Sequence, residues 1–194
     1  MGEIRSALEI ALEKAEKLGK ASKEELKKEE AISKGRRIAA SFLDDPDKKS
    51  LKELMTDVDP SMLNTVIEGA MDTLLRNIVL PKEGIQMERV QRALSGVMDL
   101  KGSVAAQVVN AISQLLEQFK TTYNQYREQL KAQMQAQLGN LKQAVAEQYG
   151  IDAAQALDIE ALPEFQQEWS KLSGQIIDQF DKELERLKNY INNI

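Results

Sequence analysis

Residues 103–149 read SVAAQVVNAISQLLEQFKTTYNQYREQLKAQMQAQLGNLKQAVAEQY, with no proline and one internal glycine, Gly139. Apolar or aromatic residues fall at Val104, Val108, Ile112, Leu115, Phe119, Tyr123, Tyr126, Leu130, Met134, Leu141 and Val145. The steps are four, four and three, repeated, with one slip near Leu138 where Gln137 takes the expected place. A helix is the backbone that brings such residues onto one stripe. An eleven-residue repeat gives 3.67 residues per turn, so the pairing it predicts is nearly straight or slightly right-handed. At 1.5 Å per residue the predicted helix is about 70 Å long.

A stripe of that length needs a partner. Residues 150–162 read as a linker, and Pro163 opens a last helix. That helix presents Phe165, Trp169, Leu172, Ile176, Phe180, Leu184, Leu187, Ile191 and Ile194 on one face. The simplest packing folds it back antiparallel on the long helix. It spans only about 45 Å of its partner's about 70 Å. The uncovered length must pack on residues 60–100 or on another copy of the chain, so a homo-oligomer, with a dimer favoured, is the expectation.

Ahead of the hairpin, Asp59-Pro60 pairs an N-cap acceptor with proline at the first helical position. The helix it opens carries Met62, Leu63, Val66, Ile67, Ala70, Met71, Leu74, Leu75 and Ile78 on two adjacent stripes. A face that wide belongs between neighbouring helices. Pro81 and Gly84 make a turn, and a helix over 85–100 presents Val90, Leu94, Val97 and Met98. Residues 3–18 read as an amphipathic helix through Ile4, Leu8, Ala11, Leu12, Ala15 and Leu18, with Gly19 where a helix would end. Ser22 and Glu25 have capping-box spacing. They open a second helix to Leu43 whose first half, 23–30, is nearly all charged and therefore solvated. Asp44-Asp45-Pro46-Asp47 is a break, followed by a short helix over 48–56.

Composition narrows the chemistry. The 194 residues include no Cys and no His. That removes thiolate and imidazole metal sites, Ser-His and Cys-His pairs, and a di-iron Glu-x-x-His bundle. Residues 1–60 carry 13 basic and 14 acidic groups, residues 61–101 carry 5 and 5, and residues 102–194 carry 8 and 12. No segment is basic enough for nucleic acid, and the acidic excess opposes anionic membranes. No apolar run approaches the ~18 residues of a membrane span, and no signal-peptide core opens the chain. A cytoplasmic setting is expected.

Short motifs each have a plainer explanation. Asp57, Asp59, Ser61, Thr65 and Glu68 occupy ligand positions of a calcium loop, but Met62 stands where that loop needs glycine. Residues 1–6 match a loose myristoylation pattern without a second anchor. Gly19-Lys20 lacks the rest of a P-loop, and no Ser-x-x-Lys occurs. Lys34-Gly35-Arg36-Arg37 is a small basic knot. Arg36 and Arg37 are candidates for anion contact, although pairing with Glu29 and Glu30 on a solvated face explains them better. Five of seven methionines lie between Met55 and Met98. Met62, Met71, Leu75, Met87 and Met98 are candidates for an adaptable apolar docking surface, weighed against use as core filler, which is favoured. Ten of 17 glutamines lie in 102–148 and read as a neutral outer face. No catalytic residue, metal ligand or cofactor site is identified.

Glu3-Ile4-Arg5-Ser6-Ala7-Leu8-Glu9-Ile10-Ala11-Leu12-Glu13, then Gly35-Arg36-Arg37-Ile38-Ala39 with Phe42-Leu43, then Pro163-Glu164-Phe165 with Trp169 resemble marks of a small family of uncharacterised bacterial proteins. The resemblance spans most of the chain. It implies a bacterial cytoplasmic setting and supplies no functional residues.

The expected fold is all-α, with a long antiparallel helical hairpin over 102–194 joined as one unit to an apolar helix pair over 59–101, and a charged helical arm over 1–58. The expected core includes Val66, Leu74, Ile78, Leu94, Ile112, Phe119, Tyr126, Leu130, Trp169, Ile176, Phe180 and Leu187, with Trp169 and Tyr126 as central anchors. The function expected first is a non-enzymatic scaffold or adaptor that self-associates. The second is a binding module or small chaperone with an apolar groove over 60–100 for a client helix or lipid-like ligand. An enzyme using carboxylates and a bound cation comes last.

Overall fold

The computed structural model describes residues 7–45, 47, 50–81, 84–139 and 158–194, with the side chains of 7–22 and 84–86 outside the description. Among the described residues all regular structure is helical. The α-helices are α1 (Ala7–Asp44), α2 (Leu63–Asn77), α3 (Gly84–Lys101), α4 (Ala106–Gln137) and α5 (Pro163–Asn193). Short 3-10 turns lie at Glu53–Met55, Gly102–Ala105 and Ile159–Ala161. The all-α expectation holds.

Several boundaries differ from the sequence reading. Gly19 does not end a helix and Ser22 does not begin one, because α1 runs through both. One helical glycine costs only about 1 kcal/mol, which good helix formers on either side offset. Among the described residues between Asp47 and Leu63, the regular structure is one short 3-10 turn, where the sequence predicts a helix over 48–56; residues 48 and 49 lie outside the description. Asp59 opens a turn: its carboxylate accepts from the Ser61 backbone N–H (2.9 Å) and hydroxyl (2.8 Å). Those two bonds hold its pKa below the ordinary carboxylate value, backbone bond first. The α2 helix therefore starts at Leu63, later than the Asp59-Pro60 signal suggests. The α3 helix ends where expected, and Gly102 with φ 66° supplies the left-handed residue after it. The α4 helix starts at Ala106, and residues 140–157, with Leu141 and Val145, lie outside the described residues. The described α4 is 32 residues against 31 for α5, so the length mismatch behind the oligomer expectation rests on residues beyond it.

The chain forms two compact units, residues 1–78 with 88–106, and residues 79–87 with 107–194. The sequence division after residues 58 and 101 differs from this. The charged arm and the helix after it share a unit because α1 and α2 touch backbone to backbone. A Cβ on Gly35 would lie 1.9 Å from the Val66 carbonyl oxygen, and one on Gly69 would lie 2.1 Å from that of Ile32. Only glycine permits this approach. Around the crossing, Ala39, Phe42, Leu43, Val66, Ala70, Leu74 and Ile78 are buried, joined by Val90, Ala93, Leu94 and Val97 of α3. The wide face of α2 is thus buried as expected.

In the second unit, α4 and α5 pair through rings. Phe119 meets Phe180 edge-on at 5.4 Å, and Tyr123 meets Trp169 edge-on at 4.8 Å. Further along α4, Arg127 and Lys131 reach Glu160, just before α5. Contacts rise in number on α4 as they fall toward and along α5, which is the order of an antiparallel hairpin. Ile112, Leu116, Phe119, Ile159, Phe165, Ile176, Leu184 and Ile191 are buried beside them.

Eleven of the twelve expected core residues are buried or half-buried. Tyr126 is the exception, at 43% exposure. The next residue, Arg127, bonds the Glu160 carboxylate. Val104 is also outside, at 67% exposure, since it lies in the 3-10 turn before α4. Leu116 is buried, where Leu115 of the expected stripe is half-buried. Each buried ring or large aliphatic contributes roughly 1.5–3 kcal/mol by leaving water.

Candidate interaction surface

Among the described side chains, the first half of α1 forms an exposed surface around one apolar residue. Every residue from Lys23 to Glu30 is exposed, and burial begins at Ala31. The sequence there alternates charges in pairs around one leucine, Leu26, which is 60% exposed. With Glu25, Lys28, Glu29 and Ile32 it lines a shallow surface hollow. Charged residues on all sides give this half no hydrophobic reason to fold onto its own unit. The second half has one, through Ala31, Ala39, Phe42 and Leu43. The solvated reading of 23–30 holds, while Leu26, counted as an inward mark, faces water.

The α1 helix is held firmly at its far end. Its last turn contains no basic residue to meet the helix dipole. The charge comes from α3 instead. Arg92 donates to the carbonyls of Phe42 and Asp45, and its guanidinium sits 4.4 Å over the Phe42 ring. Arg89 donates to the Asp44 carboxylate (2.7 Å) and to the Asn77 side chain (2.8 Å). Asp99 accepts from the Leu51 N–H (2.8 Å) and the Ser50 hydroxyl (3.2 Å), tying the following loop to α3. Sequence reading missed this clamp, since arginines on α3 give no local sign of which carbonyls they reach.

The candidate anion contacts fare differently from each other. Arg36 does not pair with Glu29 or Glu30 but with Asp72 of α2 (3.1 Å), which also accepts from Arg76 (2.9 Å). Asp72 therefore neutralises part of the knot. Arg37 is exposed. Gly35, read as part of the knot, serves the helix crossing.

The methionine set is not brought together on one open face. Met71 and Leu75 are buried, as is Met55, whereas Met62, Met87 and Met98 are half-buried. Met87 falls in the other unit from the rest. Core filling describes Met71 and Leu75. The glutamines of α4 from Gln107 to Gln137 are all exposed, as an outer face requires.

The triad in the second unit is structural. Glu160 accepts from Arg127 and from Lys131 (3.1 Å). Those bonds, led by Lys131, hold the Glu160 carboxyl below the ordinary range, while Glu160 raises the Lys131 ammonium. The Asp158 side chain accepts from the Glu160 N–H (3.0 Å) and fixes the turn. The calcium-loop spacing is broken in space, because residues 63–68 are helical. Among the described residues, no group of three or more metal-ligating side chains converges. No described helix is long and apolar enough to cross a membrane.

Comparison with known proteins gives one finding. The model of a family of unknown function (DUF6657) matches residues 52–193. Pro163-Glu164-Phe165 and Trp169 lie inside that stretch, and the marks at 3–13 and 35–43 lie before it. No curated protein and no solved structure matches the chain.

Proposed function

Taking as premise that the chain belongs to this family of unknown function, we propose that it is a non-enzymatic helical scaffold that self-associates. The observation that carries the reading is the division of α1. The helix continues for 38 residues, about 57 Å, yet its described side chains from 23 to 30 are all exposed. The same helix is anchored at its C-terminal end by Arg92, Arg89 and the glycine crossing. A clamped helix with an exposed length is a handle suited to a partner helix. Leu26, 60% exposed, offers apolar contact on it, and the charges around it keep it compatible with water when unpaired.

The groove reading draws less support, because Met71 and Leu75 are turned inward. A bacterial cytoplasmic setting belongs to the same proposal, supported by the composition and the family resemblance.

Native mass spectrometry of protein purified gently from its own host tests the function. A species at twice the 21.8 kDa chain mass is expected. A single-chain species at every concentration tried would overturn the scaffold reading. A co-purified chain or small molecule in place of a second copy would overturn it in favour of a binding module.

A further inference from the structure

Arg36 and Arg76 are gathered by one carboxylate, and we propose that together they bind a phosphate-like oxyanion through their terminal amino groups. The two reach Asp72 from different helices of one unit, Arg36 from α1 and Arg76 from α2. Each donates through Nε, Arg36 to one carboxylate oxygen (3.1 Å) and Arg76 to the other (2.9 Å). Each guanidinium thus spends a single donor on Asp72. Among the described residues, the terminal amino groups of both have no hydrogen-bond partner.

The placement starts at the backbone. Gly35 and Gly69 let α1 and α2 touch. Arg36 follows Gly35 directly, and Asp72 stands nearly one turn after Gly69. Arg76 stands one turn further along α2, at i,i+4 from Asp72. The crossing therefore fixes the bases of all three side chains relative to one another. The shared carboxylate is the most covered part, its side chain 33% exposed against 54% for Arg36 and 73% for Arg76. The guanidiniums are what meets water.

Two arginines bonded to one carboxylate leave a positive charge in excess. Lys34 and Arg37 are exposed beside Arg36 in the chain and add to it. Glu68, one turn before Asp72 on α2, is exposed and bonds neither arginine. As a brace this array is poorly accounted for. Exposed ion pairs add little stability, and the second arginine sets like charge against the first. An oxyanion suits it better. A guanidinium offers a planar fork that matches phosphate oxygens, and two forks on one anchor can address two edges of one tetrahedral group. Sequence adjacency suggests Arg37 as the companion of Arg36, but neighbours in a helix do not face the same way. The companion comes from α2. Free phosphate and the phosphate of a small ester share the chemistry this site recognises.

Arginine side-chain NMR on the full chain, titrated with inorganic phosphate at constant ionic strength, tests the site. The Nε–H signals of Arg36 and Arg76 should move together along one saturating curve, while that of Arg37 stays in place. Arg36→Gln and Arg76→Gln should each weaken phosphate about tenfold, with circular dichroism unchanged. Arg37→Gln removes the same charge one residue away and should weaken it less than about twofold. A second titration with phosphoserine separates the sources, since tighter binding than inorganic phosphate would assign the site to an ester and weaker binding to the free anion. Arg36 and Arg76 signals that do not move would overturn the site without recourse to any variant. Equal losses in all three variants, or the same response to matched chloride, would overturn it in favour of diffuse surface charge.

Discussion

The two units solve the same problem, joining helices, with opposite materials. The first unit brings α1 and α2 together by removing side chains, so that Gly35 and Gly69 let the backbones touch. The second keeps α4 and α5 apart by the width of their rings, Phe119 on Phe180 and Tyr123 on Trp169. A glycine crossing tolerates no added atom, while a ring interface tolerates no removed one. The contrast separates overpacking from cavity formation within one chain.

The sharpest break should come from Phe119→Ala. It empties a fully buried ring site and should cost about 3–5 kcal/mol in the second unit. Trp169, the sole tryptophan, lies in that unit, so its fluorescence in a urea titration reports the loss. Tyr126→Ala, at a half-open position, should shift the same signal far less. Equal shifts would mean that the ring interface has been misjudged.

Next is Gly69→Ala, expected to cost about 3 kcal/mol in the first unit, since the new methyl overlaps the Ile32 carbonyl. Circular dichroism should show an early helical transition while the Trp169 transition stays put. Coincident movement of both signals would show that the units unfold as one.

Arg92→Met should cost roughly 2 kcal/mol, read by the same early transition. It keeps the stem but strips the α1 terminus of its charge-assisted donors and the Phe42 ring of its cation.

The smallest effect concerns Glu160. Its carboxyl is held below the ordinary value near 4.5, so the stabilisation it gives is present above that value. It is lost as pH falls from about 4.5 through the lower folded value. Lys131, raised above 10.5, gives stabilisation that is present below 10.5 and lost as pH rises through its folded value. Glu160→Gln should flatten the acid dependence of the Trp169 transition. An unchanged acid limb would remove Glu160 as its source.

Periodicity made much of this fold readable. The steps of four and three through Val108, Ile112 and Phe119 and through Phe165, Ile176 and Leu184 name a helix and its buried face together. Reading broke down where a residue served a partner distant in sequence. Tyr126 fits the repeat as well as Tyr123 does, yet it is exposed while Tyr123 stacks on Trp169. Gly19 reads as a helix end, yet it lies inside α1 as Gly35 does. Of the candidate surface, the charge of 23–30 was legible, because no arrangement of a small chain buries so many ions cheaply.

The sequence by itself determined the helical class, the inward faces of α2, α4 and α5, and the lack of thiol and imidazole chemistry. Residue type and spacing act locally, so local reading suffices for these. Tertiary structure alone decided that α1 belongs with α2, that Asp72 takes Arg36, and that Arg92 closes the end of α1. Those outcomes depend on groups 36 to 50 residues apart meeting within a few ångströms. Only the complete packing fixes such distances.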